Sequence, residues 1–289
     1  MMVGMSDSPK VFVVILNWNG GDRLAACLRS VFALAYGNFE VVVVDNASRD
    51  GSLEAAKNLF SRAHFVLNPE NIGFAAGMNV GIRFALSKGA EYVWILNNDT
   101  ECDRNALSEL VLAAQSSESP ELFSPRILTP EGVEWFAGGR IDYIRMRALH
   151  VKSVDAIKAI DPYPTGYLSG CALFIPRKVI ERVGLFDEAY FLYYEDADYS
   201  VRAAGIGVER LVVPKATVIH AEISTQNPEK TYWLVISGLR FFRSHTPLAL
   251  RPWVAFYIVL RRVKNGIDKL RGKKEAFPVS SAYADFRTS

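Results

Sequence analysis

Four times in its first 120 residues, this chain runs from a continuous apolar stretch through a polar turn into a segment with helical spacing. Residues 11–16, 39–44, 64–67 and 92–96 read as strands. Residues 22–34, 53–60, 71–85 and 105–114 read as helices. β-Branched runs without polar alternation belong to strands buried on both faces, and their alternation with helices builds parallel βαβ units. The expected fold class is therefore α/β, with a Rossmann-like, mostly parallel central sheet flanked by helices. Ligands of such sheets bind beyond the carboxyl ends of the strands. The Asn and Asp side chains gather there: Asn17 and Asn19 after the first strand, Asp45 after the second, Asn71 and Gly73 after the third, and Asn97, Asn98 and Asp99 after the fourth.

The pattern changes beyond residue 120. Strands are expected at 125–128, 134–141, 167–175, 208–213 and 216–219. Helices are expected at 177–183, 194–204, 229–242 and 253–270. Residues 140–161 carry no period and read as a mobile loop. Trp18, Phe74, Trp94 and Phe186 read as core residues.

Charge separates two regions. Of 33 basic and 31 acidic residues, ten basic residues and one acid fall in 240–274, a stretch of +9 on a body of −7. Cations interleaved with aromatics there predict basic amphipathic helices, which suit an anionic membrane surface. The acidic body and the Asn/Asp strand ends argue against nucleic acid. Half of the residues are apolar, which excludes a disordered chain, and the three cysteines are too few and too scattered for a disulfide scaffold. No segment reads as a secretion signal, and the apolar run at 253–260 is far short of the ~20 residues a spanning helix needs. A cytoplasmic protein is expected, with the inner face of the cell membrane as the place for its basic tail. Homodimer formation through the tail stays open.

Two enzyme classes are disfavoured by the first turn, Asn17-Trp18-Asn19-Gly20-Gly21. A dehydrogenase would place Gly-x-Gly-x-x-Gly there. A nucleotidyltransferase making activated sugars would want a cation for a triphosphate. A non-catalytic nucleotide-sugar binder is the other alternative.

The segments Val14-Ile15-Leu16-Asn17-Trp18-Asn19-Gly20, Val43-Val44-Asp45-Asn46-Ala47-Ser48, Asn71-Ile72-Gly73-Phe74-Ala75-Ala76-Gly77-Met78-Asn79, Leu96-Asn97-Asn98-Asp99-Thr100, Phe186-Asp187-Glu188 and Tyr194-Glu195-Asp196-Ala197-Asp198, with Gly170, Arg202 and His220, run in the order found in family 2 glycosyltransferases. The chain resembles that family, and within it the rhamnosyltransferase-like branch, over about residues 11–225. The resemblance implies a GT-A fold and an inverting transfer from a nucleoside-diphosphate sugar, in cell-wall or polysaccharide biosynthesis. The catalytic domain would occupy 1–225, with a nucleotide-binding half at about 10–118 and an acceptor and catalytic half at about 119–225. A helical extension would occupy 226–289.

The resemblance also implies roles. Asn17, Asn19, Asp45, Asn71, Gly73, Asn79 and Asn98 would hold the nucleotide, with Gly73, Gly77 and the helix start after them offering backbone N–H groups to an anion. Asp99 and His220 would hold a divalent metal, Mn²⁺ or Mg²⁺, against the diphosphate. Asn97 stands where many relatives carry a second aspartate. Ser169, Gly170 and Glu195 would contact the donor sugar. In a helix Glu195, Asp198 and Arg202 share a face, which leaves Asp196, the match to the family's catalytic base, to meet the acceptor hydroxyl. The implied partners are a dTDP-sugar or UDP-sugar donor, with rhamnose the first choice of sugar, and a glycan or polyprenyl-diphosphate-linked saccharide acceptor.

Overall fold

The computed structural model describes residues 8–151, 161–221 and 227–288. Strands β1 (Val11–Asn17), β2 (Phe39–Asp45), β3 (His64–Leu67) and β4 (Tyr92–Asn97) alternate with helices α1 (Asp22–Phe32), α2 (Ser52–Leu59) and α3 (Phe74–Ser87), and α4 (Ala106–Ser116) follows after the short strand β5 (Thr100–Cys102). β1 lies between β2 and β4, parallel to both. Val11 to Ile15 are wholly buried, as a strand covered on both faces must be. The parallel register aligns Asn17 with Asp45, and Leu16 with Asn97, so the polar strand ends meet along one edge.

Helix α3 packs unusually close to this sheet. A Cβ on Gly77 would stand 2.5 Å from Leu16 Cδ1, and one on Gly81 would overlap Val14. Gly77 therefore admits the strand beneath it. The expectation that it opens the backbone to an anion is corrected on that ground.

The second half extends the sheet with β6 (Leu122–Leu128), β11 (Ala172–Pro176) and β12 (Arg210–His220), edged by β7 (Glu134–Phe136) and β10 (Tyr163–Pro164). The order is β10-β12-β6-β11-β4-β1-β2-β3, with β5 on β12 and β7 on β6. β11 runs antiparallel to β4. The strand expected at 134–141 is broken at Gly138 (φ 113°), and its second part joins a separate hairpin of β8 (Gly139–Asp142) and β9 (Arg147–His150). Part of the loop expected at 140–161 is thus ordered, and residues 152–160 lie outside the described ones. The two strands expected around Pro214 are one strand, β12, whose register slips between Val213 and Thr217. Proline donates no ladder hydrogen bond, so the chain bulges there and resumes pairing.

Helices α5 (Arg177–Val183), α6 (Glu195–Gly205), α7 (Pro228–His245), α8 (Arg251–Leu270) and α9 (Ala276–Thr288) complete the chain. The α9 helix falls within the helical extension expected over 226–289, where no separate helix is read beyond residue 270. Asn227 caps α7 by accepting from Glu229 N at 2.9 Å, with Pro228 in the first turn. Trp94 and Phe186 are core residues as expected, whereas Trp18 is half exposed and Phe74 half-buried.

Candidate active site

At the sheet edge, Asn17 is a hub. Its Nδ2 lies 2.8 Å from Asp45 Oδ1 and 3.0 Å from the hydroxyls of Ser48 and Ser52, and its Oδ1 accepts from Asn98 Nδ2 at 2.8 Å. Asp45 Oδ2 in turn accepts from Ser48 N. Asn19, at φ 52°, accepts from Arg49 N and donates its own N–H to Ser48. Asn17, Asn19, Asp45 and Asn98 are thus joined in one network. Asn17 and Asp45 are almost wholly buried inside it, where they shape the two strand-end loops.

Asn46 was missed by sequence reading. Its Nδ2 donates to Asn71 Oδ1 and Gly73 O, both at 3.1 Å, and its Oδ1 accepts from Asn68. It fixes the turn that enters α3. Gly73 there has φ 86° and ψ 176°, a region open essentially to glycine. The N–H groups at this helix start are not all free for an anion, because Phe74 N donates to Phe191 O at 2.6 Å. Asn79 faces inward. Its amide donates to Phe186 O and Glu188 Oε1 and accepts from Phe186 N, and the residue is fully buried. It ties α3 to the 186–188 turn, and it does not line the cleft.

Asp99 and His220 are brought together by the sheet. β5 pairs antiparallel with β12, setting His220 opposite Thr100, and Ala221 N donates to Asp99 O. His220 Nε2 lies 3.2 Å from Asp99 Oδ1. Burial pushes the Asp99 pKa up, but His220 and Arg23 outweigh it and hold the carboxyl below its ordinary value. Asp99 Oδ1 and His220 Nδ1 are buried without a hydrogen-bond partner. Two ligands at about 2.1 Å from one cation at right angles stand about 3 Å apart, so the pair fits a divalent ion. Among the described residues no group of three or more His, Cys, Asp or Glu gathers around a common point. The pair would need oxygens from a bound diphosphate to complete a coordination shell.

The α6 N-terminus separates its acids. Asp198 Oδ2 pairs with Arg202 Nε at 2.7 Å, as spacing predicts, and its Oδ1 lies 2.7 Å from His245 Nε2 on α7. Asp196 is not left without contacts. Its Oδ2 accepts from Gly170 N at 2.8 Å and its Oδ1 from Ala197 N. Gly170 does not sit inside a strand, since β11 begins two residues later. A Cβ there would meet Asp196 Cβ at 3.3 Å and the Phe74 ring at 3.5 Å. Ser169, also buried, accepts from Cys171 N. Glu195 is buried, and its Oε2 has no partner. Burial, then Asp196 beside it, drives its pKa well upward. Burial also raises Asp196, but backbone N–H groups oppose the shift. Both acids are pushed upward, Glu195 the more strongly of the two.

A cleft opens at Asp99; Asp196, Glu195, Ser169, Gly170 and His220 do not line it. Leu16, Trp18, Asn46, Asn71, Gly73 and Phe74 form one side, Asn97, Asn98 and Asp99 the floor, and Phe191, Leu192, Asn227, Glu229, Lys230 and Trp233 the other side. Trp233 of α7 stacks on Phe191 at 4.3 Å. Phe74 borders both the cleft and Gly170. Trp18 is exposed at this cleft rather than packed in the core, whereas Phe74 lines it and also packs against the core. Asn71, Gly73, Asn98 and Asp99 line the cleft directly. Asn17 and Asp45 support it from behind.

Residues 12–184 match the family model for glycosyl transferase family 2. The dTDP-rhamnosyl transferase RfbF of Shigella flexneri is 23% identical over 252 residues, covering 83% of this chain and 82% of its own length. The N-acetylglucosaminyl-diphospho-decaprenol L-rhamnosyltransferase of Mycobacterium tuberculosis is 25% identical over 229 residues, covering 72% and 75%. The low-salt glycan biosynthesis hexosyltransferase Agl10 of Haloferax volcanii is 27% identical over 192 residues, covering 66% of this chain, which spans 60% of that relative's length. Among solved structures, GalNAc-T7 with UDP, GalNAc and Mn²⁺ gives a TM-score of 0.66 at 19% identity, over 82% of this chain and 48% of that one. The mannosyltransferase PcManGT of Pyrobaculum calidifontis with GDP-Man and Mn²⁺ gives 0.60 at 17%, over 98% and 83%. The fold is the GT-A arrangement.

Proposed function

We propose, since this chain belongs to glycosyl transferase family 2, that it moves a sugar from a nucleoside-diphosphate donor to a hydroxyl of a glycan or polyprenyl-diphosphate-linked acceptor, with inversion. A dTDP-linked rhamnose is the first choice of donor, supported by two rhamnosyltransferase relatives; a UDP-sugar is the second. One observation carries the reading. The Asp196 carboxylate hangs from the Gly170 N–H where Phe74 borders the cleft.

In the proposed step the acceptor oxygen attacks the anomeric carbon as the bond to the diphosphate breaks, and the acceptor proton passes to Asp196. Burial, opposed by the backbone N–H groups, pushes the Asp196 pKa upward, which makes its carboxylate a stronger base than a solvated aspartate. A side chain at Gly170 would press on Asp196 and the Phe74 ring, so this glycine lets the carboxylate and the aromatic ring stand close together. Asn71, Gly73 and Asn98 line the nucleotide side, and Asn46, Asn17 and Asp45 hold those loops in place. Asp99 and His220 would hold the divalent metal, Mn²⁺ or Mg²⁺, which supplies positive charge as the diphosphate departs. The 3.2 Å approach of His220 Nε2 to Asp99 Oδ1 supports that use.

The test is Asp196→Asn. Calorimetric titration with dTDP or UDP and Mn²⁺ should show binding unchanged, while turnover falls ~10²-fold or more. In the parent enzyme, kcat should fall on the acid side at a pH above the ordinary aspartate range, because protonation of a raised carboxyl removes the base. Near-normal turnover in the variant would remove Asp196 from this role.

A further inference from the structure

Helix α8 has two apolar faces, and only one is covered. Val254 is buried, and Tyr257 and Ile258 pack half-buried against the core. On the same side Asn265 reaches Ala276 O and Ser280 Oγ of α9. At 100° per residue, Phe256, Val259, Leu260, Val263, Ile267 and Leu270 form a stripe roughly 100° wide on the opposite side. These six are 44–91% exposed. Isolated exposed apolar residues are ordinary, but a continuous stripe along a 20-residue helix marks a contact surface.

The flanking charge identifies what covers it. Arg262 and Lys269 border the stripe on one side, Lys264 and Arg271 on the other, within the +9 stretch of 240–274. A second copy laid on this face would bring two such rows of cations together. The one acid of the stretch, Asp268, is already paired with Lys264 and Lys273 at 3.0 and 2.8 Å and has nothing left for a partner. No helix among the described residues is long and apolar enough to cross a membrane. Apolar side chains between cations, on a helix that cannot span, match the interface of an anionic bilayer.

We propose that α8 lies in the plane of an anionic lipid surface, with Phe256, Val259, Leu260, Val263, Ile267 and Leu270 inserted among the acyl chains and the flanking Arg and Lys on the phosphates. The helix holds the enzyme to a membrane without entering the catalytic cleft, and the inference does not depend on which sugar is transferred.

The experiment is co-sedimentation of the full chain with vesicles of phosphatidylcholine mixed with phosphatidylglycerol, against phosphatidylcholine alone. Binding to the anionic vesicles should be at least ~10-fold tighter and should weaken with salt. The double variant Val263→Glu with Ile267→Glu should lose it. Both positions are exposed, so the variant should keep the parent melting temperature and nucleotide binding, which separates lost docking from lost folding. Lys264→Gln with Arg271→Gln should reduce the preference for anionic vesicles. Failure of the parent chain to bind anionic vesicles overturns the proposal, as does full binding by the double glutamate variant. A dimer in solution that the glutamates dissociate, with no vesicle binding, assigns the stripe to a second copy and likewise overturns it.

Discussion

Glu195 and Asp196 are adjacent acids in different surroundings, and that difference gives each its state. Asp196 has two backbone N–H donors for its oxygens. Glu195, buried beside it, leaves Oε2 without a donor. A buried acid whose pKa is raised spares the folded state a cost only while both states hold the proton. Below the unfolded value of about 4.3 both states hold the proton and the site is neutral to stability. Above it the unfolded chain releases the proton more readily, so the site destabilises the fold as pH rises. Glu195→Gln keeps the shape and removes the titration. The variant should therefore melt at or above the parent temperature at pH 8, and its advantage should vanish toward pH 4. Thermal melts across that range check it. An advantage that grows at low pH would show that Glu195 is ionised in the fold.

At the scale of elements, the turn into α3 is the most constrained. Gly73 combines a glycine-only conformation with a tight contact, since a Cβ would stand 2.6 Å from Phe191 O. Gly73→Ala should cost about 1–3 kcal/mol from the backbone alone. It should also push Phe191 off Trp233, so that nucleotide binding weakens together with the melting temperature. Calorimetry and melting on one preparation check this; full stability with normal binding would refute it. The glycine was legible in sequence, but its reason was not. Strands β1 to β4 could be read because doubly covered strands are unbroken apolar runs, and their ends marked the cleft. What faces what across the fold could not be read. Asn79 is a nucleotide-binding candidate only through the family resemblance of its glycine-rich segment. Its partners at 186 and 188 become neighbours only after folding. His245 closes on Asp198 from another element, with nothing in its local sequence to mark it. Gly170 read as strand interior because apolar residues surround it. The hydrogen bond from its N–H to Asp196 takes it out of the ladder.

For the molecule as a whole, the basic tail divides by function into a helix that belongs to the body and a helix that faces outward. Sequence reading drew a boundary at 226. Across that boundary α7 buries Ile236, Leu239, Phe241 and Phe242. Ser237 Oγ donates to Leu192 O at 2.8 Å, Arg240 reaches Ala189 O, and the Tyr194 ring lies 5.3 Å from Phe241. These contacts hold the 186–194 segment, which forms one wall of the cleft and leads directly into Glu195 and Asp196. Burying each large apolar side chain contributes roughly 1.5–3 kcal/mol. Losing four of them, with one of the two partners of Asp198, approaches the whole 5–15 kcal/mol by which a domain is stable. A chain ended at residue 226 should therefore fail to fold cooperatively and should bind neither dTDP nor UDP. The α8 glutamate variant, which alters only the outward face, should melt like the parent. Circular dichroism melts of the two, with nucleotide titration, separate the roles. A truncated chain that unfolds sharply near the parent temperature would place α7 outside the folding unit, and would leave the cleft wall at Phe191 to support itself.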